Sequence, residues 1–231
     1  MNPVYKELVK SGIYEVADPE INNLKFTDHK YPWSISNDEF NFVFSHIKQM
    51  GYKAGYDLAT GCGISALAMG LALKDNGGRL VTMDAYVEEN SGELYYEVES
   101  FPKSVGYKRF LKLIKRFRLS GVVRAEVGCS PQHTSDRLGR TYDLSTDKLD
   151  VVFIDAMHDD KSLVEDFEAT FPYLDSKFTL FIHDAHSFSM RIIHQVMTTV
   201  DNRGKGRCKL VVPAGKGCNL IYITNDDLVV L

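Results

Sequence analysis

Two sets of residues in this chain have types and spacings suited to chemistry. The first is the run Gly55-Tyr56-Asp57-Leu58-Ala59-Thr60-Gly61-Cys62-Gly63-Ile64-Ser65-Ala66. It passes from an aromatic and aliphatic start through small residues into apolar positions continuing at Leu67, Ala68 and Leu71, which predicts a strand, a tight turn and a helix. Gly61 and Gly63 lack a Cβ, so the backbone can approach a ligand closely, and the free N–H groups that open the helix favour negative charge. A nucleotide-like cofactor suits such a turn. The second set is Asp155-Ala156-Met157-His158 and His183-Asp184, each following an apolar run. Carboxylates at the ends of neighbouring strands repel one another unless a proton or cation stands between them, and a histidine among them titrates near neutral pH. Proton transfer and divalent-cation binding are the chemistry this set could perform.

The glycine turn admits two cofactors. Gly61-Cys62-Gly63-Ile64-Ser65-Ala66 satisfies the G-x-G-x-x-G/A dinucleotide pattern, with Asp84 downstream at a distance suited to a ribose. Asp57 weighs against a dinucleotide, because a carboxylate beside the turn repels a pyrophosphate and suits the ammonium of a methionine moiety.

On these residues the chain resembles the class I S-adenosylmethionine-dependent methyltransferases. Asp57 to Gly63 resembles their acidic-x-G-x-G-x-G motif with Ala59 in place of the first glycine, which predicts ordinary backbone angles at that position. Gly63-Ile64-Ser65-Ala66 is similar to the G-Y-S-A continuation of catechol-type O-methyltransferases. The two strand-end motifs resemble the D-x-x-H and H-D pair of small-molecule O-methyltransferases, including the antibiotic- and sugar-tailoring branch. The resemblance implies S-adenosyl-L-methionine contacts at Asp57, Ala59, Gly61, Gly63, Ser65, Asp84 and Asp155, with Cys129 and Ser130 against the adenine. It also implies Mg²⁺ or another divalent cation on Asp155 and Asp184, with Ala185 where relatives carry a further ligand and His183 or His186 able to complete the shell. His158 stands where catechol-type relatives carry a lysine general base, so Asp155, Asp184 and His158 are the expected catalytic residues.

The elements that must position these residues follow from the pattern. Residues 1 to about 53 read as two helical pieces forming a lid or cap, the second marked by a Ser36–Glu39 capping box and by Phe40, Val43, Phe44 and Ile47 on one face. Between them, residues 29–34 hold the only tryptophan, Trp33, on a loop that suits a lid. Leu80 to Asp84, Val122 to Val127, Leu149 to Asp155 and Phe178 to Asp184 read as strands. The last two each deliver an acid at the edge where open α/β sheets bind ligands. Helices are expected over Ser104–Leu119, with Tyr107, Phe110, Leu111, Ile114 and Phe117 inward, over a segment marked by Leu163, Phe167, Phe171 and Leu174, and over Ser187–Val200. Residues 85–102, rich in Glu and Tyr, read as a solvated acidic insertion. Strand–helix alternation argues for a doubly wound parallel sheet with helices on both faces. The resemblance adds the seven-stranded Rossmann-like methyltransferase form, closed by an antiparallel hairpin of Lys209–Pro213 and Asn219–Thr224. The whole chain reads as one domain, 1–231, with 54–231 as its cofactor-binding core.

Composition bounds the rest. At 231 residues and 44% hydrophobic content the chain can bury a full core. A net charge of −4 argues against broad nucleic-acid binding, although Lys108, Arg109, Lys112, Lys115, Arg116 and Arg118 on one helix keep an RNA methyltransferase in view. No apolar run reaches the roughly 18 residues of a membrane span, and the charged residues within 1–10 give no export signal, so a cytoplasmic protein is expected. Four cysteines without C-x-x-C spacing predict reduced thiols. The leading function is methyl transfer to a hydroxyl of a small molecule. A nicotinamide-dependent oxidoreductase and a non-catalytic cofactor-binding protein are the alternatives, and a homodimer is left open.

Overall fold

The computed structural model describes residues 35–61, 63–85, 105–213 and 219–226. The first helical piece with Trp33, the acidic stretch from residue 86, Cys62 and Cys218 lie outside the described residues, as does the turn at 214–217.

The described residues begin with α1 (Asn37–Met50), whose Ser36–Glu39 capping box is formed as expected and whose C-terminus closes on Gly51 in the left-handed region. Alternating strands and helices follow: β1 (Ala54–Leu58), α2 (Ile64–Asp75), β2 (Arg79–Asp84), α3 (Val105–Arg116), β3 (Val123–Val127), α4 (Thr134–Gly139), β4 (Leu149–Ile154), α5 (Asp160–Thr170), β5 (Leu174–Ile182) and α6 (Met190–Asn202). The strands β6 (Lys209–Val211) and β7 (Ile221–Thr224) end the described chain. They form one seven-stranded sheet in the order β3-β2-β1-β4-β5-β7-β6. β1 to β5 pair in parallel, and β7 is antiparallel to both of its neighbours. The doubly wound form with an antiparallel end is therefore present.

Period-two alternation along the strands sorts the core into two layers. Val151, Phe153, Phe181 and Tyr222 pack with α1, α2 and α3 on one face, whereas Val152, Ile154, Leu180, Ile182, Ile221 and Ile223 pack with α4, α5 and α6 on the other. α2 is apolar around most of its circumference because it lies between the sheet and α1, with Ile64 to Leu73 buried except Leu71. No helix among the described residues is long and apolar enough to cross a membrane.

Some expectations need correction. Leu111 faces solvent and Leu113 takes its place inside with Phe110 and Ile114, since the buried stripe of α3 runs one step further round. Leu174 does not belong to the preceding helix, which gives way to a turn at Phe171–Tyr173 around Pro172, and it opens β5 instead. Ala59 does not adopt ordinary angles. Its φ is 67°, the left-handed conformation that the replaced glycine would take, at a cost of roughly 1–2 kcal/mol for an L-residue. The turn geometry is imposed by its anchors, since the Ala59 and Thr60 N–H groups both donate to the Met83 carbonyl.

Candidate active site

The sheet order reverses direction between β1 and β4, and a crevice opens at the C-terminal ends of the strands on either side of such a switch. Register brings the residues of interest to this edge. Leu58 pairs with Ile154, and Ile154 with Ile182, so Ala59, Asp155 and His183 are the next residues out on three adjacent strands. Two backbone bonds extend the ladder into the edge: Asp155 N–H donates to Leu58 O at 3.3 Å and His183 N–H to Ile154 O at 3.0 Å.

At the glycine turn, Gly61 (φ 49°) and Gly63 (φ 85°) are both left-handed. A Cβ on Gly63 would lie 2.2 Å from the Phe110 ring, so α3 is packed hard against the turn. Asp84 at the end of β2 accepts the Gly61 N–H at 2.7 Å, which places the expected ribose carboxylate beside the turn. Gly128 N–H donates to the Asp84 carbonyl, drawing the Cys129–Ser130 segment to the same edge. Burial, aided by the nearby Asp84 charge, pushes the Cys129 thiol up.

Asp57 is fully buried in β1. Its Oδ2 accepts the Thr82 hydroxyl at 2.5 Å, and Thr82 in turn meets the Thr60 hydroxyl at 2.6 Å, while Asp57 Oδ1 is buried with no hydrogen-bond partner among the described residues. Burial pushes its carboxyl up to about 7 against the opposing effect of Thr82 and Ser65, with Asp155 and Asp84 adding to the rise. An orphaned buried carboxylate oxygen under a glycine turn fits a cationic group such as a ligand ammonium. Because the folded value lies above the unfolded one near 3.8, this residue favours the fold fully below pH 4, and that contribution is lost as pH rises through 7. Asp57→Asn should therefore stabilise the ligand-free protein at pH 8 by up to roughly 4 kcal/mol and by much less at pH 5. Urea unfolding at the two pH values checks this, and an equal gain at both would dismiss the buried charge as its source.

The second set forms one cluster. His158 Nε2 lies 3.2 Å from Asp184 Oδ2 and 3.6 Å from Asp155 Oδ1, and ligand atoms of the three residues all fall within 4.8 Å of one another. The neighbouring Asp155 carboxylate raises the His158 pKa, with the Asp184 charge adding to it against partial burial. Two carboxylate oxygens and an imidazole nitrogen suit a divalent cation that keeps several waters. Asp184 turns left-handed (φ 48°), and the Asp160 carboxylate, which accepts the Ser189 N–H and hydroxyl, ties the His158 loop to the start of α6.

His183 adjoins the same two acids from the buried side. Its ring is buried, with Nδ1 3.1 Å from Asp155 and 3.5 Å from Asp184 and Nε2 3.5 Å from Glu39. Burial works to lower its pKa, but the three carboxylates outweigh this and raise it to about 12. A doubly protonated imidazole has no lone pair for a metal; in that state His183 holds Asp155 by a hydrogen bond, while His158 offers the ring nitrogen that groups with both acids in cation-binding geometry. Glu39 was not foreseen in this role. Its only sequence signal is the capping-box spacing, which does not reveal that the carboxylate is turned inward.

Tyr173 and Lys177 carry the Tyr-x-x-x-Lys spacing of many oxidoreductases, but they flank the start of β5, at the opposite sheet edge from the glycine turn. There Tyr173 donates to Ser135, and Lys177 pairs with Asp226.

A model of the methyltransferase-domain family matches residues 58–185, which is more than half of the chain and includes Ala59, both glycines and all three cluster residues. No curated protein matches the chain. Among solved structures, the O-methyltransferase TomG of Streptomyces achromogenes, involved in tomaymycin synthesis and solved with SAM, is 13% identical with a TM-score of 0.64, over 97% of this chain and 89% of that one. An O-methyltransferase from Bacillus cereus in complex with SAH is 15% identical with a TM-score of 0.61, over 94% and 96%. A methyltransferase from Geobacter sulfurreducens is 13% identical with a TM-score of 0.57, over 96% and 98%. At such identities the likeness is one of fold, and it extends over nearly the whole of each chain. With the family match spanning the glycine turn and both acidic strand ends, the chain belongs to the methyltransferase-domain family.

Proposed function

We propose that this protein transfers a methyl group from S-adenosylmethionine to a hydroxyl oxygen of a small molecule. The observation that carries the reading is the meeting of Asp155, His158 and Asp184 on the sheet edge that also holds the glycine turn. The bound cofactor would supply an electrophilic sulfonium methyl. Gly61, Gly63 and Asp84 would seat it, with Asp57 and Ser65 beneath, Cys129 and Ser130 beside it, and Ala59 and Asp155 at its margin. His158, 40% exposed, would take the proton of the acceptor hydroxyl at Nδ1, with Nε2–H directed at Asp184 and Asp155, which would orient that ring and balance its charge. If a divalent cation binds, Asp155, His158 and Asp184 would hold it, and it would lower the pKa of the acceptor hydroxyl; Asp155 and Asp184 would then also fix the acceptor oxygen in line with the methyl, the source of much of the rate in such reactions.

The same reading takes a small molecule as partner, supported by the net charge of −4. Incubation with methyl-labelled S-adenosylmethionine and a panel of catechols and glycosides tests it. The expected result is S-adenosylhomocysteine together with an acceptor carrying the label on oxygen, whereas label on nitrogen or carbon would redirect the reaction class. Asp84→Ala should weaken S-adenosylhomocysteine binding by roughly 1.5–3 kcal/mol, the scale of hydrogen bonds to a charged group. An unchanged affinity would remove Asp84 from the site.

A further inference from the structure

Glu39 does more than its place in a capping box requires. A capping-box glutamate at the third helical position need only reach back to the N-cap N–H and is free to face water. Here it is 2% exposed, and its two oxygens are divided among three elements. Oε2 accepts the Ser36 N–H at 2.7 Å and faces His183 Nε2 at 3.5 Å, and Oε1 accepts the Asn219 N–H at 2.7 Å. Both of the non-local arms lead to the same place. The His183 ring, stacked on Phe153, presents Nδ1 to Asp155 and Asp184. Asn219, just ahead of β7, accepts the Ala185 N–H at 2.9 Å and so holds the turn in which Asp184 sits left-handed.

From this geometry we propose that Glu39 is a positioning residue for the reactive edge, fixing Asp155 and Asp184 from α1 through His183 on one side and through Asn219 and Ala185 on the other. The inference rests on the functional reading of that edge given above. It gives α1 a direct hold on the chemistry: moving that helix by the length of one contact would loosen both acids at once.

Amide hydrogen exchange and histidine-ring ¹⁵N spectra of the full chain test it, with Glu39→Gln and Glu39→Ala set against Ser36→Ala, which removes the capping hydroxyl but keeps Glu39. Both Glu39 variants are expected to speed exchange at Ala185 by roughly tenfold or more through local opening and to shift the His183 ring nitrogens, whereas Ser36→Ala should affect only the first turn of α1. If the Glu39 variants change the same amides as Ser36→Ala and leave Ala185 and the His183 ring unmoved, Glu39 is a helix cap alone and the proposal is overturned. Should Glu39→Ala not fold, Glu39→Gln, which retains a capping-box side chain, decides the matter. Titration of the wild-type sample with S-adenosylhomocysteine reports on the functional reading separately, because the exchange result stands whether or not that ligand binds.

Discussion

Asp155→Asn and Asp184→Asn are each expected to abolish methyl transfer while leaving the affinity for S-adenosylhomocysteine nearly intact. The two carboxylates flank His158 at 3.6 and 3.2 Å, whereas the proposed cofactor contacts lie mainly in the glycine turn, Asp84 and the Gly128–Ser130 segment that Asp84 joins. Neutralising either acid removes half of the negative charge that orients the ring and would hold a cation. His158→Ala should slow the reaction by roughly 10²–10⁴-fold, the usual range for a positioned general base, and flatten its pH dependence near neutrality. Excess EDTA provides an independent arm. Arrest of turnover assigns the acids to a metal, and full activity in EDTA leaves His158 working as an unaided base. A parallel loss of S-adenosylhomocysteine binding in the two Asn variants would instead move Asp155 and Asp184 into the cofactor site proper.

Gly63→Ala should be the most damaging single methyl in the described structure near the site. Two costs coincide there: φ of 85° disfavours any side chain, by roughly 1–2 kcal/mol, and the new Cβ would meet the fully buried Phe110 ring at 2.2 Å, an overpacking cost of roughly 1–3 kcal/mol. A destabilisation of roughly 2–5 kcal/mol is expected by urea unfolding, together with loss of cofactor binding as the turn is pushed off its anchors. The double variant Gly63→Ala/Phe110→Ala separates the two. If the clash is real, the second substitution restores part of the loss, and simple additivity would show that Phe110 yields without cost.

Sheet register explains why so much of this site could be read from the chain. An apolar run ending in Asp or His-Asp says that a carboxylate leaves a buried strand at its C-terminal end, and in a parallel sheet all such ends lie on one edge. Accordingly Asp84 ends β2, Asp155 and Asp184 lie just beyond the ends of β4 and β5, and Asp57 sits one residue before the end of β1. What could not be read depends on contacts distant in sequence. Ala59 takes a glycine's conformation because Met83 O, on β2, anchors two successive N–H groups of the turn. His183 is held from its far edge by Glu39, 144 positions upstream in the printed sequence, while its other nitrogen meets Asp155 and Asp184. Leu111 and Leu113 differ only in the angle at which α3 meets the core, which the helical repeat alone leaves free within one residue.

The central claim is that the glycine turn, Asp57 and Asp84 form a site for an adenosyl-amino-acid cofactor. Calorimetric titration of the purified chain with S-adenosylmethionine, S-adenosylhomocysteine and NAD tests it most directly. The two adenosyl ligands should bind with one-to-one stoichiometry and NAD should give no heat of binding. Saturable binding of NAD, with neither adenosyl ligand bound, would contradict the account and return the turn to a dinucleotide.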